Sequence, residues 1–145
     1  MPLESSDSPF DAPREACGVI GIWEPSGSIK LPDYLVLGLT ELQHRGQESA
    51  GIAVFAGGRI QTRVGMGKVR EVFPHGATDL EGGVGIGHVR YSTTGSSTVQ
   101  NAGPFLVGEH TSQVALAHNG NISNSEELRV LLGESVRDTA TDSEM

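Results

Sequence analysis

The only cysteine of the chain, Cys17, heads a short apolar run, Cys17-Gly18-Val19-Ile20-Gly21-Ile22-Trp23, directly behind a polar leader ending Arg14-Glu15-Ala16. The run reads as a strand, closed by a Pro25-Ser26-Gly27 turn. A cut between Ala16 and Cys17 would leave a thiol and a free α-amine on one carbon. A thiol of pKa about 8.5 is mostly protonated at neutral pH, and an α-amine of pKa about 7.7–8.0 can take its proton. Nucleophile and base would then share one residue. The plainer alternative is a small buried hydrophobe, the commoner role of a free cysteine.

A length of 145 residues is at most one domain's worth. The formal charge of −8 argues against a non-specific nucleic-acid binder, which is normally basic. Residues 1–16 hold Glu4, Asp7, Asp11 and Glu15 against Arg14, so the remainder carries −5. One cysteine forms no intramolecular disulfide and by itself makes no zinc or iron–sulfur site. No apolar run approaches the length of a membrane-spanning helix. The leader lacks the basic start and apolar centre of a secretory signal. It reads as a disordered propeptide, and the compartment as the cytoplasm.

Periodicity divides the rest into strands, two helices and glycine turns. Pro32 and Asp33 suit the first turn of a helix, and Leu35, Leu39 and Leu42 give it one apolar face before Gly46 stops it. Ala50 to Phe55 and Arg59 to Val64 flank Gly57-Gly58, a hairpin signature. Val84, Ile86 and His88 alternate as in a strand, and Val114 to Ala117 makes another. Ser123 to Glu126, or Asn124 to Glu127, has capping-box spacing for a second helix with Leu128, Leu131 and Leu132 on its buried side. Strands and helices do not alternate strictly, so a mostly antiparallel α+β layered fold is expected.

Two polar clusters end strands. In Gly87-His88-Val89-Arg90-Tyr91-Ser92-Thr93-Thr94-Gly95, Arg90 falls near a strand end, where it can grip a carboxylate bidentately or pair with an acidic neighbour. Ala117-His118-Asn119-Gly120-Asn121 reads as a strand entering a tight Asn-Gly turn. Such a turn can present a carboxamide N–H beside a backbone N–H, as an oxyanion hole requires. The five histidines show no metal-ligand spacing, and neutral structural histidines are the commoner outcome.

Cys17-Gly18-Val19-Ile20-Gly21, Leu42-Gln43-His44-Arg45-Gly46-Gln47-Glu48-Ser49-Ala50-Gly51-Ile52-Ala53, the Gly87–Thr93 cluster and the Ala117–Asn121 cluster occur in this order and spacing. Together they resemble the amidophosphoribosyltransferase family, within the class II glutamine amidotransferases of the N-terminal-nucleophile hydrolase type. The resemblance runs from Cys17 to Met145. It implies a four-layer αββα sandwich, incomplete in this chain, with residues 1–16 a propeptide and 17–145 the N-terminal part of the amidotransferase domain.

The resemblance further implies that Cys17 attacks the side-chain amide of glutamine, with Asn119 and Gly120 stabilising the oxyanion. Arg90, with Thr93 beside it, would bind the substrate α-carboxylate, and Asp142 its α-amine. Arg45 would help close or order the site. The full enzyme would pass ammonia to phosphoribosyl pyrophosphate, giving 5-phosphoribosylamine in the first step of de novo purine synthesis. Mg2+, and in some members with a cleaved leader a 4Fe–4S cluster, would belong to residues beyond Met145, as would the phosphoribosyltransferase domain. No cofactor is expected in this segment, nor a nucleic-acid or membrane partner; the family suggests a homotetramer at full length.

Competing readings are another class II glutaminase, of the glucosamine-6-phosphate synthase or glutamate synthase type, and an inactive fragment. A Cys17–histidine thiol dyad is a further mechanism. The isolated 145-residue chain is expected to fold poorly and turn over little glutamine.

Overall fold

A computed structural model describes residues 17–91, 98–108, 112–120 and 122–132. The leader, Thr93 and Asp142 lie outside the described residues.

The elements run β1 (Gly18–Trp23), α1 (Leu31–Glu41), β2 (Ser49–Ala56), β3 (Arg59–Met66), α2 (Val69–Val72), β4 (Val84–Arg90), β5 (Phe105–Val107), β6 (Val114–Leu116) and α3 (Ser125–Leu132). Short 3-10 turns occupy Gln43–Arg45 and Val99–Asn101. The main sheet has the order β1-β4-β2-β3, and all three pairings are antiparallel. β5 and β6 form a separate antiparallel pair. The expected α+β, mostly antiparallel architecture is the observed one.

β2 and β3 pair from Ala56↔Arg59 outward, around the expected Gly57-Gly58 turn. Both glycines have positive φ, 58° and 80°, as this tight hairpin turn demands. β4 then joins β2 on its other edge and β1 beyond, so residues far apart in the chain become neighbours.

One face of this sheet carries the apolar core. Leu31, Leu35 and Leu39 of α1 are fully buried and pack with Ala50, Ile52 and Val54 of β2 and Val89 of β4. Ile20 and Ile22 of β1, Leu42, Val69 and Val72 extend this cluster. Leu42 caps α1 rather than lying within it, yet remains on the core side. At the start of α1, Asp33 accepts from the Ala77 N–H at 3.1 Å, anchoring the loop after α2.

The opposite face meets the Asn101–Phe105 stretch and the β5–β6 pair. A Cβ on Gly51 would stand 2.4 Å from the Gly103 carbonyl oxygen, and Ala115 of β6 lines a cavity of about 170 Å³ with Ala53, Phe55, Val84 and Ile86. Helix, sheet and second sheet thus stack as three layers. α3 departs from expectation: Leu131, assigned to its buried side, is 80% exposed. Leu128 of the same set is half-buried, so periodicity alone misjudged the burial of Leu131.

Truncating a fully buried leucine removes apolar contact and leaves a cavity, costing about 2–5 kcal/mol. Leu35→Ala should therefore lower unfolding stability by that amount in denaturant titration. Leu37→Ala, on the exposed side of α1, should change it by less than about 0.5 kcal/mol.

Candidate active site

The strand register builds the site. Gly18 faces Val89 and Ser49 faces Arg90, which sets Cys17, Arg90 and Ser49 together at one end of the main sheet. Cys17 is half-buried, and its thiol donates to the Tyr91 carbonyl at 3.7 Å, just past the end of β4. The Arg45 Nε donates to the Cys17 carbonyl at 3.3 Å.

Arg45 reaches this position because its turn is pressed onto the sheet end. A Cβ on Gly46 would fall 2.6–2.8 Å from the Val89 and Arg90 main chain, so only glycine allows the approach. Gln43 braces the same turn: its Oε1 accepts from the Val69 N–H at 2.7 Å, and its amide donates to the Gly46 carbonyl. The next stretch is held by the Glu48 N–H donating to the Arg90 carbonyl at 3.1 Å. A lone glutamine after a helix carries no signal for such a brace.

Arg90 ends β4, as its motif suggested, and is only 6% exposed. Its guanidinium donates to the Asn101 carbonyl at 2.8 Å. His88, two residues earlier on the same face, is 3% exposed. Burial, then the nearby Arg90 guanidinium, push its pKa down to about 4. His88 is accordingly neutral at pH 7.

Asn119 and Gly120 follow β6 and are exposed. Gly120 lies in a bend and does not take the positive φ that Asn-Gly tolerates, and Asn121 lies outside the described residues. A Cβ on Gly120 would lie 2.6 Å from His118 Nε2, the far end of a side chain that can turn aside.

Cys17, Arg45 and Arg90 are therefore brought together at one sheet end, while the bend follows β6, which pairs with β5. Among the described residues no group of three or more His, Cys, Asp or Glu side chains is placed to hold a metal ion. No helix among them is long and apolar enough to cross a membrane.

Residues 68–145 match the family described as glutamine amidotransferases class-II. The chain is 49% identical over 138 residues to the amidophosphoribosyltransferase of Synechococcus elongatus, covering 93% of this chain and 28% of the relative. The enzyme of that name from Methanothermobacter thermautotrophicus is 47% identical over 135 residues, covering 91% and 28%. A solved glutamine phosphoribosylpyrophosphate amidotransferase from B. subtilis, complexed with ADP and GMP, superposes with a TM-score of 0.75 at 37% identity, covering 87% of this chain and 27% of that one. The chain thus spans little more than a quarter of the length of these relatives.

The buried imidazole makes stability pH-dependent. The unfolded chain protonates His88 near pH 6.5, the folded protein only near pH 4, so its contribution is complete above pH 6.5 and is lost as pH falls toward 4. The loss should reach about 3 kcal/mol, and His88→Gln should flatten this part of the stability–pH curve measured by denaturant unfolding.

Proposed function

Since the chain belongs to the class II glutamine amidotransferases, we propose that it is the glutaminase portion of an amidophosphoribosyltransferase. The observation that carries this reading is the meeting of Cys17, Arg45 and Arg90 at one sheet end, in a chain whose relatives bear that name.

Removal of residues 1–16 frees the Cys17 α-amine. The amine takes the thiol proton as sulfur attacks the glutamine side-chain carbonyl. The oxyanion formed is held by the Asn119 carboxamide and the Gly120 N–H. The ammonium then gives its proton to the departing nitrogen, the C–N bond breaks, and ammonia leaves a γ-glutamyl thioester. Water attacks that thioester, releasing glutamate and restoring the thiol.

Arg90 binds the α-carboxylate of glutamine; a guanidinium has five N–H donors and can hold a main-chain carbonyl and a carboxylate together. Thr93 and Asp142 complete the clamp in this reading, with the Asp142 carboxylate on the substrate α-amine. Opposite charges at the two ends of one amino acid select free glutamine over a glutaminyl peptide. Arg45 orders the nucleophile through the Cys17 carbonyl, a bond that ties the start of β1 to its turn.

Ammonia then passes to phosphoribosyl pyrophosphate, and the products are 5-phosphoribosylamine and pyrophosphate. Mg2+ and any iron–sulfur cluster serve residues outside this segment, and no step above runs through them. A cytoplasmic homotetramer is part of the same reading.

In the full-length protein, Cys17→Ser should lower glutamine-dependent phosphoribosylamine formation at least about a thousandfold while sparing formation from added ammonia. Equal loss of both activities with the fold intact would overturn this division of labour. Asn119→Ala should cost about 10²–10³ in glutamine-dependent kcat. Intact-mass measurement of active enzyme should find Cys17 at the N-terminus; a fully active protein that retains its leader would exclude the α-amine mechanism.

A further inference from the structure

The turn that carries Arg45 is fixed by a side chain with no part in the reading above. Gln43 is half-buried in the 3-10 turn Gln43–Arg45, and both ends of its carboxamide are engaged. Its Oε1 accepts from the Val69 N–H at 2.7 Å, and its Nε2 donates to the Gly46 carbonyl. The Gly46 N–H donates back to the Gln43 main-chain carbonyl at 3.3 Å, and the Arg45 N–H donates to the Leu42 carbonyl at 2.9 Å. A carboxamide offers a donor and an acceptor at two corners of one plane, whereas an ionised carboxylate has acceptors alone. Asparagine has the same groups but stops a methylene short.

The far end of this bridge is anchored in the core. Val69 opens α2, is 1% exposed and belongs to the apolar cluster. Just before it, the Gly67 N–H donates to the Glu48 carbonyl at 2.7 Å, which ties the end of β3 to the strand entering β2. The near end of the bridge bears on the site. Gly46 lies against the main chain of Val89 and Arg90, and one residue earlier the Arg45 Nε donates to the Cys17 carbonyl at 3.3 Å. Cys17 precedes the first ladder pair of β1, Gly18↔Val89. With the leader cut, it becomes the chain terminus, and a terminus frays unless something ties it down. The carbonyl of a residue is coplanar with its own Cα, so a grip on that oxygen limits where the thiol and the α-amine can swing.

We propose that Gln43 is a positioning residue for the nucleophile: by bridging the Val69 N–H and the Gly46 carbonyl, it holds Arg45 on the Cys17 carbonyl. This inference rests on the glutaminase reading and deepens it. Gln43 touches neither the sulfur nor the substrate, so its whole effect passes through Arg45. It therefore bears on the rate of attack on glutamine, while binding of the α-carboxylate and the acceptor reaction are left alone.

The test uses the full-length protein with two variants. Gln43→Met keeps the length without either hydrogen bond, and Gln43→Glu keeps the Val69 bond but loses the donor to Gly46. Each should lower glutamine-dependent kcat about 10- to 100-fold and leave KM for glutamine within about threefold. Ammonia-dependent synthesis should be spared, which also shows that the variant is folded. In an Arg45→Ala background, Gln43→Met should change kcat by less than about threefold, because residues acting through one contact are not additive. Wild-type kcat in either single variant would overturn the inference. So would a loss shared equally by the ammonia-dependent reaction, or the full loss persisting in the Arg45→Ala background. Cys17→Ser is measured alongside: if it retains glutamine use, the glutaminase reading itself has failed, whereas a dead Cys17→Ser beside a fully active Gln43→Met refutes only the role of Gln43.

Discussion

The antiparallel insertion of β4 between β1 and β2 governs both the core and the site. These strands are distant in sequence, so their pairing requires long-range closure, and it fixes a register with side chains alternating between faces. Val89 thereby enters the apolar cluster under α1, while His88 and Arg90 point to the other layer. A slip of one residue would exchange these faces. It would put an arginine and an imidazole under Leu35 and Leu39 and expel Val89. Burial of the leucine face therefore also specifies where the polar residues stand. The same register brings Cys17 opposite the end of β4, with no separate device needed.

The two faces of the sheet divide the work. On the α1 side, close-packed aliphatic residues provide the cohesion. On the other side a few polar groups are held by main-chain contacts, such as Arg90 on the Asn101 carbonyl and Gly103 against His88. Hydrogen bonds to backbone are well suited to this task because the backbone atoms are themselves fixed by strand pairing. The Gln43–Arg45 turn applies the same logic at the edge: the tight approach of Gly46 and the Gln43 brace leave Arg45 within reach of the Cys17 carbonyl.

Local pattern made some of this legible and left the rest hidden. β1, α1 and the β2–β3 hairpin announce themselves through alternation, a leucine face and Gly57-Gly58. α2 and β5 have four and three residues, too few to establish a period. The sheet order leaves no local trace, because β4 pairs with strands whose residues lie tens of positions away. Cys17 and Arg90 could be singled out from chemistry and strand-end position. The bond from Arg45 to the Cys17 carbonyl could not, since it depends on how closely Gly46 meets the sheet. At α3 the periodicity of Leu128, Leu131 and Leu132 indicated a buried side, but amphipathicity shows only which face can be covered. In the bend, Asn-Gly suggested positive φ, which Gly120 does not adopt.

The geometry also bears on which base can serve Cys17. A thiol–histidine dyad needs an imidazole that reaches the sulfur and titrates near neutrality. His44 is exposed and its Nδ1 pairs with the Glu41 carbonyl, and His75 is exposed in the loop after α2. His88 is close to the site but, with its pKa near 4, is a feeble proton acceptor at pH 7. The His118 ring lies against Gly120. The thiol itself points at the Tyr91 carbonyl, which accepts its proton in a hydrogen bond but does not remove it. An α-amine on Cys17 requires none of these residues to move. In the proposed mechanism it would share a Cα with the attacking thiol, and its ordinary pKa of about 7.7–8.0 lies where a general base works best. Proximity and basicity are then the two physical grounds on which the proposed mechanism assigns the proton to the amine and not to a histidine.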